Sequence, residues 1–136
     1  MATAAVTRAP LVLIVEDHDD TRQMYAEFLG LSFDVRTVGT GQQALEFMTG
    51  RRPDLLITDI ALPGMTGLEL VSRIRADAAL RGVPIICLSG FDGHAYDELA
   101  RQAGCDRLIQ KPCLPDALAI AVEEVLKGVQ GRSVAL

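Results

Sequence analysis

The sequence predicts a doubly wound parallel α/β domain, and two observations lead to that fold class. Short runs of β-branched and aliphatic residues alternate with segments of helical period, and the runs begin near residues 11, 33, 54, 84 and 107. Parallel neighbours in a sheet need a crossover of about a dozen residues, and each helical segment provides one. In such sheets ligands bind at the carboxyl ends of the strands.

The predicted strands differ in how much of them is covered. The uninterrupted apolar run at 11–15 is typical of a strand with helices on both faces, and the apolar runs at 55–57 and 84–88 are the predicted third and fourth strands. Residues 33–38 alternate apolar and polar side chains, which predicts a strand at the edge of the sheet. Residues 107–110 form a short fifth run.

The helical segments are recognised by their end signals and by apolar stripes. Asp19 or Asp20 is expected to cap the first helix and Gly30 to end it, and Thr40 is expected to cap the second. The apolar stripes expected to face the sheet are Met24, Phe28 and Leu29; Ala44, Leu45 and Met48; Leu68, Val71 and Ile74; and Leu118, Ala121, Val122 and Val125.

The fourth helical segment, 94–103, is the weakest of the series. Its apolar face consists of Tyr96, Leu99 and small alanines, so we expect it to be mobile. Leu99 is therefore a candidate contact residue for a partner, whereas core burial is expected for Leu118.

The length of 136 residues fits one core, which we expect over residues 10–128. Flexible ends are expected at 1–9 and 129–136, with no output domain. No segment approaches the ~18 apolar residues of a membrane span, and a cytoplasmic protein without membrane insertion is expected.

The charge and the cysteines exclude several classes of function. A net charge of −5 argues against direct nucleic-acid binding, which needs a basic face. Cys87, Cys105 and Cys113 lack CxxC spacing, so neither a disulfide framework nor a zinc site is predicted. His18 and His94 have no partner at ligand spacing and are expected to be surface histidines.

Polar side chains follow four of the predicted strands at their carboxyl ends. Glu16 and Asp17 follow the first strand, Asp59 the third, Ser89 the fourth and Lys111 the fifth. Converging carboxylates repel one another, and Mg²⁺ is the natural cation to hold them together. One carboxylate can then attack a phosphoryl group, while Lys111 supplies a positive charge and Ser89 a hydroxyl donor. Asp59, between the acid pair and Ser89 in the chain, is the predicted nucleophile.

These landmarks resemble, in order and interval, the receiver domain of two-component response regulators. The resemblance covers about residues 11–127, and it is carried by Glu16-Asp17, by Asp59 with Pro63-Gly64 and Gly67, by Ser89-Gly90 and by Lys111-Pro112. It implies a flavodoxin-like (βα)5 three-layer sandwich with a parallel sheet of order 2-1-3-4-5.

The resemblance also implies a set of roles. Asp59 would be phosphorylated by a sensor histidine kinase or a histidine phosphotransfer protein. Magnesium, for which Mn²⁺ can substitute, would be held by Asp17, Asp59, Glu16 and the backbone carbonyl of Ala61. Ser89 and Lys111 would bind the phosphate and carry the switch.

Three positions depart from the family pattern. Leu108 stands where an aromatic switch residue is usual, so the switch position is altered. Ala61 and Phe91 flank the path of hydrolytic water in the family, and neither can orient a water molecule by hydrogen bonding. We therefore expect the acyl phosphate to hydrolyse slowly.

The leading hypothesis is a phosphorylation-driven signalling module rather than an enzyme. Phosphorylation would remodel the face formed by the fourth helix, fifth strand and fifth helix, for a downstream protein, a phosphorelay partner or a homodimer. One alternative is a small phosphohydrolase with an aspartyl-phosphate intermediate, for which Ala61 leaves no acid to protonate a leaving group. Another is a phosphorylation-independent pseudo-receiver adaptor, which the complete set of site residues disfavours.

Overall fold

Five parallel strands form one sheet in the order β2-β1-β3-β4-β5, which confirms the predicted architecture. The computed structural model describes residues 8–90 and 93–135, and the side chains of 8–90 and 97–128. The elements are, in chain order, β1 (Leu11–Val15), α1 (Asp19–Leu29), β2 (Asp34–Val38), α2 (Gly41–Gly50), β3 (Leu55–Asp59), α3 (Gly67–Ala76), β4 (Ile85–Ser89), α4 (Gly93–Ala103), β5 (Arg107–Gln110) and α5 (Pro115–Ala135).

Two apolar layers lie on opposite faces of the sheet. Successive side chains of a strand point to opposite faces, so Leu13 and Leu56 pack with α2, α3 and α4, whereas Val12 and Leu55 pack with α1 and α5. Strands β1, β3 and β4 are buried along their whole length, and β2 is half-exposed at the edge. The prediction of a covered centre and an edge strand is confirmed.

The apolar face of α1 differs from the predicted one. Met24 and Phe28 are 42% and 38% exposed, whereas Tyr25 and Leu29 are buried. The Tyr25 hydroxyl donates a hydrogen bond to the Cys113 carbonyl oxygen at 2.8 Å. A polar partner makes burial of the phenol favourable, and this rotates the helix by about one residue from the stripe that apolarity alone selects.

The predicted N-cap of α1 is wrong, and the predicted N-cap of α2 is confirmed. His18 occupies the N-cap position of α1 without a side-chain hydrogen bond, and Asp19 and Asp20 lie in the first turn, where negative charge favours the helix dipole. Thr40 caps α2, because its hydroxyl accepts a hydrogen bond from the N–H of Gln43 at 3.1 Å.

The last two helices position the face expected to carry a signal. Leu99 on α4 is 50% exposed, while Leu118 on α5 is fully buried, as expected. Helix α5 continues to Ala135 through the segment predicted as a flexible tail, because extending a formed helix fixes only one residue per hydrogen bond. No helix in the part of the chain that the structure describes is both long and apolar enough to cross a membrane.

Arg75, at the end of α3, binds segments of the chain that lie near the amino ends of the strands, at the end of the sheet opposite the strand carboxyl ends. Its guanidinium donates to the carbonyl oxygens of Gly104, Arg81 and Val83 at 2.6–2.9 Å. It also contacts the Asp106 carboxylate at 3.0 Å. The start of β4 and the turn between α4 and β5 are thereby fixed to α3.

Candidate functional site

The carboxyl ends of four strands bring the predicted polar residues to one edge of the sheet. Glu16, Asp59 and Ser89 are 1%, 4% and 2% exposed, which is unusual for polar side chains. Two backbone hydrogen bonds extend the sheet pairing beyond the strands: Glu16 N–H donates to Val38 O at 3.1 Å, and Lys111 N–H donates to Ser89 O at 2.7 Å. The residues that follow the strands are therefore held as firmly as the strands themselves.

Lys111 joins the two buried carboxylates of this edge. Its Nζ lies 3.0 Å from Glu16 Oε1 and 2.9 Å from Asp59 Oδ1. One ammonium group thus faces two acids, so the first is balanced and the second carries an excess negative charge when both are ionised. The peptide bond between Lys111 and Pro112 is cis.

Burial and the short contacts between them give Glu16 and Asp59 very different pKa values. Burial raises the pKa of Asp59 to about 7, and a hydrogen bond shared with Glu16 adds to this. Burial opposes ionisation of Glu16 too, but hydrogen bonds from Asp59, the His18 N–H and Lys111 lower its pKa to about 2. For Lys111, burial disfavours the charge, yet the contacts with Asp59 and Glu16 outweigh it and raise its pKa. Near neutral pH the pair shares one proton, because two carboxylates this close resist double ionisation.

Two buried carboxylate oxygens at this edge lack a hydrogen bond within the described residues. They are Asp17 Oδ1 and Asp59 Oδ1, the latter in the ion pair with Lys111. Carboxylate oxygens are hard ligands of the kind that Mg²⁺ prefers. The chemistry of these donors fits a magnesium ion, and Glu16 and Asp17 present oxygens within 4.8 Å of each other. We propose that Asp59 and the Ala61 carbonyl would complete the ligand set.

His18 is a residue of this site that sequence reasoning assigned to the surface. Its ring is 73% exposed, but its Nδ1 lies 3.1 Å from Glu16 Oε2 and 3.4 Å from Asp17 Oδ1. The hydrogen bond with Glu16 and the charges of both acids raise the pKa of His18. The signal was available, since His18 directly follows the acid pair in the chain.

The loop between β3 and α3 passes so close to Asp59 that one position admits only glycine. A Cβ on Gly67 would overlap the Asp59 carbonyl oxygen and come within 2.8 Å of Ile60 Cα. The Gly67 N–H also donates to Ile60 O at 2.8 Å. Gly64 in the same loop has φ +74°, a conformation that glycine adopts without strain. These glycines let α3 begin directly behind the predicted nucleophile.

A cavity of about 600 Å³ opens beside the acids. Asp17 and Ser89 give it polar lining atoms, Ala61 also lines it, and the rest of the lining includes an apolar wall. The wall is formed by Ile60, Leu62, Pro63 and Leu68. A small solute can therefore approach the carboxyl ends of the strands from solvent.

Six of the eight predicted site residues lie at this edge, Leu108 does not, and Phe91 falls outside the described residues. Glu16, Asp59 and Lys111 are in direct contact, and Asp17, Ala61 and Ser89 line the same cavity. Leu108 lies on β5, opposite Cys87 of β4, and packs against the layer of α2, α3 and α4.

Comparison with known proteins identifies the same family from sequence. A model of the response regulator receiver domain matches residues 12–123. The transcriptional regulatory protein UhpA of Escherichia coli is 37% identical over 120 residues, which are 86% of this chain but only 59% of UhpA. The polar-differentiation response regulator DivK of Brucella anthropi is 33% identical over 102 residues, which cover 74% of this chain and 83% of DivK.

Solved structures show the same fold. The signal receiver domain of a histidine kinase from Syntrophus aciditrophicus has a TM-score of 0.82 and 31% identity, covering 89% of this chain and 92% of that one. The chemotaxis response regulator CheY4 of Vibrio cholerae has a TM-score of 0.80 and 28% identity, covering 88% and 99%. The fold, the matched model and the relatives agree, and the chain belongs to the response regulator receiver domains, the signalling modules of two-component systems.

Proposed function

We propose that this protein accepts a phosphoryl group on Asp59 from a phosphohistidine donor. The observation that carries the proposal is the arrangement around Asp59. Its carboxylate is almost fully buried, and the single ammonium group of Lys111 lies 2.9 Å from Asp59 Oδ1 and 3.0 Å from Glu16 Oε1. Two buried carboxylates that share one ammonium group keep an excess of negative charge, and a buried acid with a perturbed pKa at the carboxyl ends of the strands favours a reactive role over a structural one.

In the proposed step an oxygen of Asp59 attacks phosphorus while the P–N bond to the donor imidazole breaks. Such a transfer depends on positioning and on neutralising charge, with little acid-base chemistry. Lys111 stabilises the negative charge on the phosphoryl oxygens, and the Ser89 hydroxyl donates to one of them. Glu16 stays anionic because its pKa is low. Bound magnesium would neutralise further charge and orient the phosphoryl group.

The output follows from the redistribution of contacts at Lys111. In the unphosphorylated protein Lys111 bridges Glu16 and Asp59. A phosphoryl group on Asp59 would place new acceptor oxygens beside the Lys111 ammonium. The contacts at the carboxyl end of β5 would then change, and this change would reach α5. On the same face, the side chain of Leu99 on α4 is exposed. We propose that a downstream protein, or a second copy of the chain, recognises the α4-β5-α5 face, with Leu108 in place of a ring switch.

The first prediction tests phosphoryl acceptance. Full-length protein incubated with Mg²⁺ and phosphoramidate, a small P–N donor, should gain one phosphoryl group, and the Asp59→Asn variant should gain none. Asp20→Asn serves as the matched control, because Asp20 is an exposed acid of the first turn of α1. Intact mass spectrometry measures the incorporation. Equal labelling of wild type and Asp59→Asn would refute the proposal, and so would a wild type that stays unlabelled.

The second prediction concerns the lifetime of the acyl phosphate. Ala61 lies at the cavity beside Asp17 and Ser89 and offers no side-chain hydrogen bond to water. Ala61→Asn should therefore shorten the lifetime of phosphorylated Asp59 several-fold, about 10-fold if the amide orients the attacking water with one net hydrogen bond. Ala61→Val, which changes size without adding a donor, is the control. A lifetime that Asn leaves unchanged or lengthens would contradict the role of this position.

A further inference from the structure

Two of the three cysteines lie side by side, although they are far apart in the chain. Cys87 is in the middle of β4, and Cys105 is in the turn between α4 and β5. The Cys105 sulfur lies 3.8 Å from the carbonyl oxygen of Ile85, two residues before Cys87 on β4, and both cysteines belong to the apolar layer of α2, α3 and α4. Cys113 belongs to the layer on the opposite face of the sheet. The sheet thus separates one pair of thiols from the third.

The two paired thiols differ in their access to solvent. Cys87 is fully buried, whereas Cys105 is half-buried and lines a groove of about 310 Å³ between α4 and β5. Arg101 and Arg107 are among the other residues of this groove. Contacts of Cys105 Sγ with Arg107 O at 2.9 Å and with Ile85 O at 3.8 Å fix the sulfur where the groove meets β4. A small solute in the groove therefore reaches Cys105 first, while Cys87 is shielded from solvent in the same apolar layer.

We propose that Cys105 and Cys87 form an oxidation-sensitive pair, in which hydrogen peroxide from the α4-β5 groove oxidises Cys105 and Cys87 converts the product to an intramolecular disulfide. The site lies away from the acids around Asp59. The proposal does not depend on phosphoryl acceptance, and the two can fail separately.

The two steps balance without a further reactant. The Cys105 thiolate attacks one peroxide oxygen, the O–O bond breaks, and sulfenic acid and hydroxide form. The Cys87 sulfur then displaces the sulfenic oxygen as water, so each sulfur has lost one electron and peroxide has become two waters. The difference in exposure favours this division of roles, because Cys105 lines the groove whereas Cys87 is fully buried.

The disulfide would connect β4 to the segment that leads into β5. Cys105 follows Gly104, whose carbonyl accepts a hydrogen bond from Arg75. Leu108 lies opposite Cys87 in the β4-β5 pairing. Oxidation would therefore restrain the strand that carries Leu108, at the centre of the α4-β5-α5 face.

The experiment uses the natural chain, because each cysteine falls in a different tryptic peptide. Cys87 lies in 82–101, Cys105 in 102–107 and Cys113 in a later peptide that contains Pro112. Folded protein is treated with hydrogen peroxide, denatured, alkylated and digested without reductant. The expected result is a protein that has lost two hydrogens, accepts one alkyl group at Cys113, and yields peptides 82–101 and 102–107 linked. Dithiothreitol should restore three alkylatable thiols.

Single substitutions provide the controls. Cys113→Ser should form the same link at the same rate, and Cys105→Ser should abolish it. Cys87→Ala should leave Cys105 to accumulate as sulfenic acid, which dimedone traps. The peptide mapping of the natural chain tests the Cys87–Cys105 link even where a variant folds poorly. The proposal is overturned if three thiols survive peroxide in the folded protein, if Cys113 enters the disulfide, or if Cys105 is overoxidised without a link to Cys87.

Discussion

Replacing Gly67 with alanine is expected to lower the free energy of unfolding by about 3 kcal/mol, the range of severe overpacking. The added Cβ would overlap the Asp59 carbonyl oxygen, and all of its close neighbours are backbone atoms that cannot rotate away. Either α3 or the end of β3 must move, and the second movement displaces the Asp59 side chain. Urea unfolding followed by circular dichroism measures the loss, and the rate of phosphorylation should fall with it.

Gly50→Ala is the matched control for this substitution. A Cβ on Gly50 meets nothing within 4 Å, and Gly50 ends helix α2, where alanine has the higher helix propensity. The control should be neutral or slightly stabilising. If Gly67→Ala unfolded at the same urea concentration as the natural chain, the close approach of α3 to Asp59 would be wrong.

Replacing Asp59 with asparagine is expected to raise the free energy of unfolding of the magnesium-free protein by about 1–3 kcal/mol at pH 8. Burial raises the pKa of Asp59 to about 7, above the 3.8 of a free aspartate. The folded state therefore binds a proton that the unfolded state has released between about pH 4 and pH 7. Stability falls as the pH rises through that window, and asparagine removes this fall.

The measurement is a series of urea titrations between pH 4 and pH 8 in the presence of a chelator. The gain from Asp59→Asn should be absent near pH 4 and complete above pH 7. Adding Mg²⁺ should stabilise the natural chain and have a smaller effect on the variant, because an ion that binds only the folded state stabilises by mass action. Asp20→Asn should show neither the pH-dependent gain nor the reduced response to Mg²⁺. A gain that is constant with pH would mean that the buried charge of Asp59 is not the cause.

Sequence patterns determined the fold because the apolar runs have one consistent interpretation. The uninterrupted runs at 11–15 and 55–57 became the covered strands β1 and β3, and the alternating segment became the edge strand β2. The stripe of α1 was misread, since hydropathy ranks Met24 and Phe28 above Tyr25. The hydrogen bond from the Tyr25 hydroxyl to the Cys113 carbonyl oxygen favours burial of Tyr25. Because the two residues are 88 positions apart in the chain, the local sequence does not reveal this bond.

The site was predicted in its members but not in its electrostatics. The positions of Glu16, Asp59 and Lys111 at the strand ends follow from the order of the motifs. Which acid retains the proton depends on burial and on distances of about 3 Å, and these exist only in the folded chain. The pairing of Cys87 with Cys105 was hidden for the same reason, because spacing along the chain does not report proximity across β4 and β5.

The attachment made by Arg75 sets how α4 can move. Its guanidinium binds the carbonyl of Gly104, the residue after α4 ends, and also the carbonyls before β4. Helix α4 is therefore anchored at its carboxyl end, while its amino end at Gly93 follows β4 in the chain, on the side of the phosphorylation site. A conformational change at the phosphorylation site would therefore rotate α4 about its carboxyl end, which Arg75 holds in place. Displacement would be largest at the first turn of the helix and smallest at Ala103.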